Sequence, residues 1–393
     1  MHKKNGRIVA IFLSLIMICS IVVTTAFAKN VTPQVNGSNV DIEESLDPIE
    51  VVSLREENTK HFRLQDGTYQ AVVYSEPVHR KDTKGEWRDI DNRLAVTNTN
   101  TYSTSDNRIN FAQSPTSDGK IFSLKENAYS ITLGLSSKQL FTKSNAKVNN
   151  HPDSTLISKN FTNLEDLKKI NNKTSVIYKN IFENTDLEYV IVANNIKENI
   201  IVKEVCESYK YVFELEAVGL TAILEDDGSI TLRDAKSGET KYIMPAPFMY
   251  DADGNRSYDV NYILSEISHE KYELIVTADD KWLNDESRVF PVVIDPTFTS
   301  WIFSDSYIDE RNPNFSYGYS EELWVGTNYS HYISYIEPGL LTLPNYATIT
   351  NAKLHIAYYY GVTSGYINVG AYDVLYDLTG FNYNNLTYRQ IVK

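Results

Sequence analysis

The densest set of side chains able to grip a ligand lies toward the C-terminus. Trp301, Tyr307, Phe315, Tyr317, Tyr319, Trp324, Tyr329, Tyr332 and Tyr335 share one stretch with Asp305, Asp309, Asn314 and Glu321. A sugar ring offers apolar C–H faces and a polar rim, and flat aromatic rings beside hydrogen-bonding groups match both. Trp324, Tyr317, Tyr307 and Trp301 are the residues expected to form such a platform. The same rings on neighbouring strands also serve as packing partners, so each has a second reading in the core. Rings this dense exceed what one small sandwich must bury, which favours a polysaccharide ligand for the group.

A second constellation has metal-ligand spacing. Asp251, Asp253 and Asn255 place oxygens at alternate positions around Gly254, a pattern that suits Ca2+. The twelfth position of such a loop, where an EF-hand carries its bidentate Glu, is Tyr262. A plain hairpin turn has the same composition, and Asp305 with Asp309 is equally a cation pair or two strand-end acids. Calcium is the one cofactor these residues admit, and no other is expected.

Catalytic patterns are missing. None of the seven His forms an H-E-x-x-H or H-x-x-x-H pair, and there is no G-x-S-x-G elbow, P-loop or dinucleotide fingerprint. Cys206 stands between Val205 and Glu207 at the edge of a strand-like run, where neighbouring acids raise a thiol pKa and make it a poor nucleophile. The chain is therefore expected not to be an enzyme. Paired carboxylates for glycoside cleavage meet only in space, so a polysaccharide hydrolase or lyase remains the catalytic alternative.

The elements that must position these residues begin after an export segment. Lys3, Lys4 and Arg7 precede an apolar run ending in Ala26–Phe27–Ala28, the layout of a signal peptide cut after Ala28. An uncleaved membrane anchor is the other reading of a run this long. Ile18 before Cys19 argues against a lipoprotein signal, and Leu343–Pro344 lacks the rest of a sortase signal. Removing Lys3, Lys4 and Arg7 takes the formal charge from −14 to −17. So acidic a chain repels phosphate backbones and anionic lipid, which points away from nucleic acid and, after signal cleavage, from membranes. With Cys19 removed, Cys206 has no partner for a disulfide, and the fold must rest on its core.

Residues 29–46 read as a disordered leader, polar and without periodicity. Beyond them the pattern is strand and turn. Tyr209, Tyr211, Phe213 and Leu215 alternate with charged residues, and Ala352, Leu354, Ile356 and Tyr358 repeat the period of two. Thr221–Leu224 and Ser229–Leu232 flank Asp226–Asp227–Gly228, a hairpin signal. Asn163–Ile170 is the best helical candidate. The 28 Tyr and 15 Phe suit pleated surfaces. The fold class is all-β, with β-sandwich domains in tandem and the last one incomplete. A boundary is expected near residue 298, after Asp295–Pro296, and an inner division of 47–297 near 145–153.

Several motifs resemble one known family. Leu54–Arg55–Glu56, Phe62–Tyr69, Pro77–Val78–His79 and Gly85–Leu94 look like the N-terminal region of bacterial wall-associated and Rhs-type surface proteins. Phe290–Pro296 closes that region in the family. His79, read by itself, is a turn or packing residue. The following Asp305–Glu310, Pro313–Gly318, Leu323–Gly326 and Ile349–Leu354 are similar to the start of a DNRLRE domain, a β-sandwich grouped with carbohydrate-binding modules. Tyr388 stands where that domain carries a Trp. The resemblance implies four segments: signal peptide 1–28, leader 29–46, β-rich region 47–297 and a truncated DNRLRE-like sandwich 298–393. It implies a secreted, extracellular or wall-associated protein with a non-catalytic module for cell-wall or extracellular polysaccharide. The alternative is the structural scaffold, as a fragment, of an Rhs-type toxin-delivery protein.

Overall fold

In the strand Lys210–Val218 the side chains of Tyr211, Phe213 and Leu215 are buried while Lys210 and Glu214 face solvent. This is the alternation a half-buried strand requires. The strand pairs antiparallel with Tyr129–Leu135 on one side and Lys271–Ala278 on the other. The computed structural model that shows this describes residues 49–150 and 174–298, apart from 65, 75–76, 117–118 and 194. It also describes 305–315, 317, 322–327, 330–336 and 347–350, and the backbone of Arg7–Val23 and of 351–361. The chain forms two compact units. The one holding Lys210–Val218 comprises residues 91–157 and 168–301, and the other comprises 1–90, 158–167 and 302–393.

The 91–301 unit is built from two large antiparallel sheets. One has eight strands running from Val260–Ser268 at one edge to Leu94–Val96 at the other. The second is a meander of Thr174–Phe182, Thr185–Val192 and Asn195–Val202, continued by Val292–Asp295 and Phe248–Tyr250. The polar stretch near 145–153 holds the strand Ala146–Asn150, which pairs with Thr174–Phe182 at an edge of that sheet. An edge strand tolerates such polarity because only one of its flanks is covered.

Phe111 and Phe122 of the first sheet meet Tyr189 of the second at centroid distances of 5.5 and 5.3 Å. The interior is thus one core shared by both sheets. Each fully buried side chain of this size contributes about 2 kcal/mol by leaving water. A third sheet carries the expected hairpin, with Leu220–Leu224 paired to Ile230–Asp234 across a turn in which Gly228 has φ +83°. A single helical turn, Asp280–Leu283, is capped by the Asp279 carboxylate, which accepts from the N–H groups of Lys281 and Trp282.

The other unit is also β. Thr59–Arg63 and Tyr69–Tyr74 form a hairpin with Ile49–Glu50 beside it, and His79–Lys81 pairs separately with Trp87–Asp89. Glu322–Thr327, His331–Ile336 and Asp305–Asp309 belong to the same sheet as Ile49–Glu50, Thr59–Arg63 and Tyr69–Tyr74. The apolar run Arg7–Val23, expected in a signal peptide, is extended here and pairs with Tyr69–Tyr74, Glu322–Thr327 and Ala347–Gly361. An apolar, β-branched run supports either role, since the same residues suit a secretory core and a buried strand. No helix among the described residues is long and apolar enough to cross a membrane. The helical candidate Asn163–Ile170 lies outside the described residues.

Candidate functional site

The predicted aromatic platform is partly brought together. Tyr307 and Tyr317 are buried and stacked at 4.1 Å, with Phe315 against Tyr317 at 4.9 Å. Trp324 is half-buried, 5.5 Å from Tyr332 on the neighbouring strand. The Trp324 carbonyl accepts a hydrogen bond from Ser334 Oγ at 2.8 Å. Trp301 lies outside the described residues. Buried Asp309 organises the loop beneath: it accepts from the Arg311 N–H at 3.0 Å, Asn312 Nδ2 at 2.8 Å and Tyr317 Oη at 3.2 Å, and also from Ser330. Tyr307 and Tyr317 are thus buried packing partners, and Trp324 and Tyr332 are half-buried rings on adjacent strands.

The Asp251–Asn255 group is a turn closed on one carboxylate. Asp251 Oδ1 accepts from the N–H groups of Asp253 and Asn255 at 3.1 and 2.8 Å. Its Oδ2 accepts from Asn255 Nδ2 at 2.9 Å and from Arg288 Nη1 at 3.0 Å. Gly254 takes φ +80°, which a turn needs and a side chain resists. Asp253 and Asn255 are exposed, and the positive charge at Asp251 is that of Arg288. Among the described residues no three His, Cys, Asp or Glu side chains gather in a way that could hold a metal. Cys206 is buried, with Sγ 3.3 Å from the Glu183 carbonyl, and burial pushes its thiol pKa up.

Two further clusters come from residues that no chemical motif singled out. In the 91–301 unit, Glu198 is fully buried and its Oε1 accepts from Tyr189 Oη at 2.5 Å. Its Oε2, and the hydroxyl of Tyr262, have no hydrogen-bond partner. Loss of hydration pushes the Glu198 carboxyl up to about 8, with the charge of Asp295 adding to it. Asp295, the acid of the Phe290–Pro296 motif, lies 2.8 Å from Lys197 Nζ.

In the other unit, residues of three family-like motifs converge on a largely buried ion cluster. Arg55 is bidentate to Glu50, with Nε at 2.7 Å and Nη2 at 2.9 Å, and Nη2 also reaches Asp89 Oδ2 at 3.0 Å. Lys60, with no exposed side-chain surface, puts Nζ 2.6 Å from Asp89 Oδ1 and 3.8 Å from Glu50 Oε2. His79 Nδ1 lies 2.6 Å from the Glu56 carbonyl, which can only accept, so Nδ1 carries the hydrogen. That leaves Nε2 bare, 3.5 Å from Asp89 Oδ1 and 3.8 Å from Glu50 Oε1. Desolvation, helped by the charges of Lys60 and Arg55, pushes His79 down to about 4. His79 is thus a buried, neutral strand residue packed into an ionic cluster, the packing half of its sequence reading and not the turn half. Two cations and two anions balance there, and each charge keeps a partner as burial demands. Arg55, His79 and Asp89 lie in three separate motif fragments and Glu50 and Lys60 in none, and their meeting is spatial.

Comparisons with known proteins place this sequence among relatives. No protein-family model matches the chain, and no solved structure matches it. The chain is 30% identical over 352 residues to "tRNA nuclease WapA" of Bacillus subtilis (strain 168), covering 82% of this chain and 14% of that protein. It is 30% identical over 284 residues to "tRNA3(Ser)-specific nuclease WapA" of Bacillus spizizenii, covering 70% of this chain and 11% of the relative. It is 29% identical over 213 residues to "Wall-associated protein" of Geobacillus stearothermophilus, covering 53% of this chain and 76% of that protein. The chain spans about a seventh of the length of the WapA relatives. Two expectations are corrected by these names, that the chain is not an enzyme and that it has no nucleic-acid partner: WapA proteins are named as nucleases of tRNA. The −17 charge and the missing motifs were properties of this stretch of sequence, and they could not exclude a substrate handled by a protein about six times its length. By homology along most of its length, the chain is a relative of the bacterial wall-associated proteins, WapA among them.

Proposed function

We propose that the chain is an exported, wall-associated scaffold of the WapA kind, and that its last segment holds cell-wall or extracellular polysaccharide. The observation that carries this reading is the alignment of 82% of the chain with WapA, together with the relative named for wall association. Lys3–Ala28 directs export, residues 47–297 form the scaffold, and 298–393 are a DNRLRE-like, carbohydrate-binding β-sandwich. Trp324 and Tyr332 offer the half-buried rings, with the stacked pair Tyr307 and Tyr317 packed beside Tyr332. Rings braced in this way lose little freedom when a sugar stacks on them. Fractionation of producing cells is the test: the chain should sediment with walls, and its N-terminus there should be Lys29. Recovery entirely inside the cell, with the first 28 residues intact, would overturn it.

A second reading follows from the relatives' names. Cleavage of tRNA is the activity to assay on the same preparation, with intact tRNA on a denaturing gel as the readout. Fragments formed by the purified chain would place that activity within this stretch.

A further inference from the structure

The ion cluster at Glu50, Arg55, Lys60, His79 and Asp89 holds the parts of a condensation reaction. We propose that Lys60 and Asp89 become joined by an intramolecular amide, a covalent cross-link between the strands Thr59–Arg63 and Trp87–Asp89, with Glu50 and His79 as proton-transfer partners.

Four observations support it. Lys60 is wholly buried, a rare state for a lysine, and its Nζ already touches the Asp89 carboxyl at 2.6 Å. Arg55 Nη2 holds the other oxygen, Oδ2, at 3.0 Å, so the carboxyl carbon is fixed and charge developing on Oδ2 has a donor. His79 Nε2 is buried, bare and without a hydrogen-bond partner, 3.5 Å from Asp89 Oδ1. A proton on that oxygen would satisfy it. Finally, burial lowers the pKa of Lys60, which raises the share of amine able to attack.

The step balances without any co-reactant. A proton passes from Lys60 Nζ to Asp89, converting ammonium and carboxylate into amine and carboxylic acid. The Nζ lone pair then attacks Asp89 Cγ, and the new N–C bond forms. The Cγ–Oδ1 bond breaks, and Oδ1 leaves as water with a proton passed through His79 Nε2 or Glu50. Oδ2 remains as the amide carbonyl, accepting from Arg55, and the amide N–H is left to donate toward Glu50. Ammonium plus carboxylate gives amide plus water. In bulk water this condensation is disfavoured. Here the reacting groups are held in contact, the Lys60 amine fully buried and the Asp89 carboxyl about a quarter exposed so that the released water can leave, which removes the entropic cost of bringing them together.

Intact-mass measurement of the full chain, followed by peptide mapping, is the test. The wild-type protein should weigh one water less than its residues require, and a digest should yield a branched peptide joining the Lys60 and Asp89 segments. Lys60→Arg keeps the charge but cannot form the amide, so it should regain full mass and give separate peptides. Asp89→Asn should reach the same final mass as wild type, because ammonia leaves in place of water. His79→Gln and Glu50→Gln should lower the cross-linked fraction at a given time. Should a variant not fold, the wild-type mass decides by itself: a full, unreduced mass with separate peptides after prolonged incubation at neutral pH would overturn the proposal.

Discussion

Glu198 should make the 91–301 unit less stable as pH rises through neutrality, and substituting it should remove that dependence. Its carboxyl is raised from 4.5 to about 8, first by desolvation and then by Asp295. Because the folded value lies above the unfolded one, the fold holds an extra proton between these limits. Its contribution is complete below pH 4.5 and drains away as pH climbs to about 8. The slope is about 1.4 kcal/mol per pH unit for one proton, which accumulates to about 4 kcal/mol across the window. Glu198→Gln keeps an oxygen for Tyr189 Oη and cannot ionise. Urea unfolding of both proteins across the range, read by far-ultraviolet circular dichroism, isolates the group. The variant should match wild type within about 1 kcal/mol at the acid end and exceed it by several kcal/mol at the alkaline end. Parallel curves would refute the claim that Glu198 is buried as a neutral acid.

The opposite sign is expected at His79, whose folded value near 4 lies below its ordinary 6.5. Stability from keeping it neutral is lost as pH falls through that interval, by about 3 kcal/mol, and His79→Gln should flatten this acid limb in the same urea series. Arg55→Ala leaves the Glu50 carboxylate without its bidentate cation and should cost about 3–5 kcal/mol, measured as a fall in the urea midpoint. Gly228→Ala places a side chain at φ +83° and should cost about 1–2 kcal/mol in thermal unfolding. Asp279→Ala removes the helix cap and should cost about 1 kcal/mol.

Local features of the fold were legible in the sequence because local chemistry dictates them. The alternation from Tyr209 to Glu216 yields a strand wet on one face, and Asp226–Asp227–Gly228 closes the hairpin it signals. The sheets themselves were not legible. Asn195–Val202 takes Val292–Asp295 as a neighbour from about 90 residues further on, and no local pattern encodes such a pairing. The polar stretch Ala146–Asn150 read as a break because an edge strand and a linker share the same composition. The candidate sites divide in the same way. Tyr307, Tyr317 and Trp324 were singled out by residue type, and type alone could not say that the first two are buried and the third half-buried. Glu198 and Lys60 were invisible: charged residues in strands usually face water, and only the packing of both faces shows that these two do not.

The proposed polysaccharide role rests on the half-open pair Trp324 and Tyr332, and sedimentation with insoluble cell walls tests it most directly. Purified wild-type chain should pellet with walls and be released by soluble glycan. Trp324→Ala, folded by circular dichroism, should stay in the supernatant, because one lost ring stack costs about 1–2 kcal/mol, roughly a tenfold weaker hold. Equal pelleting of both proteins would contradict the assigned surface, and a folded wild-type chain left wholly in solution would contradict the wall-binding account itself.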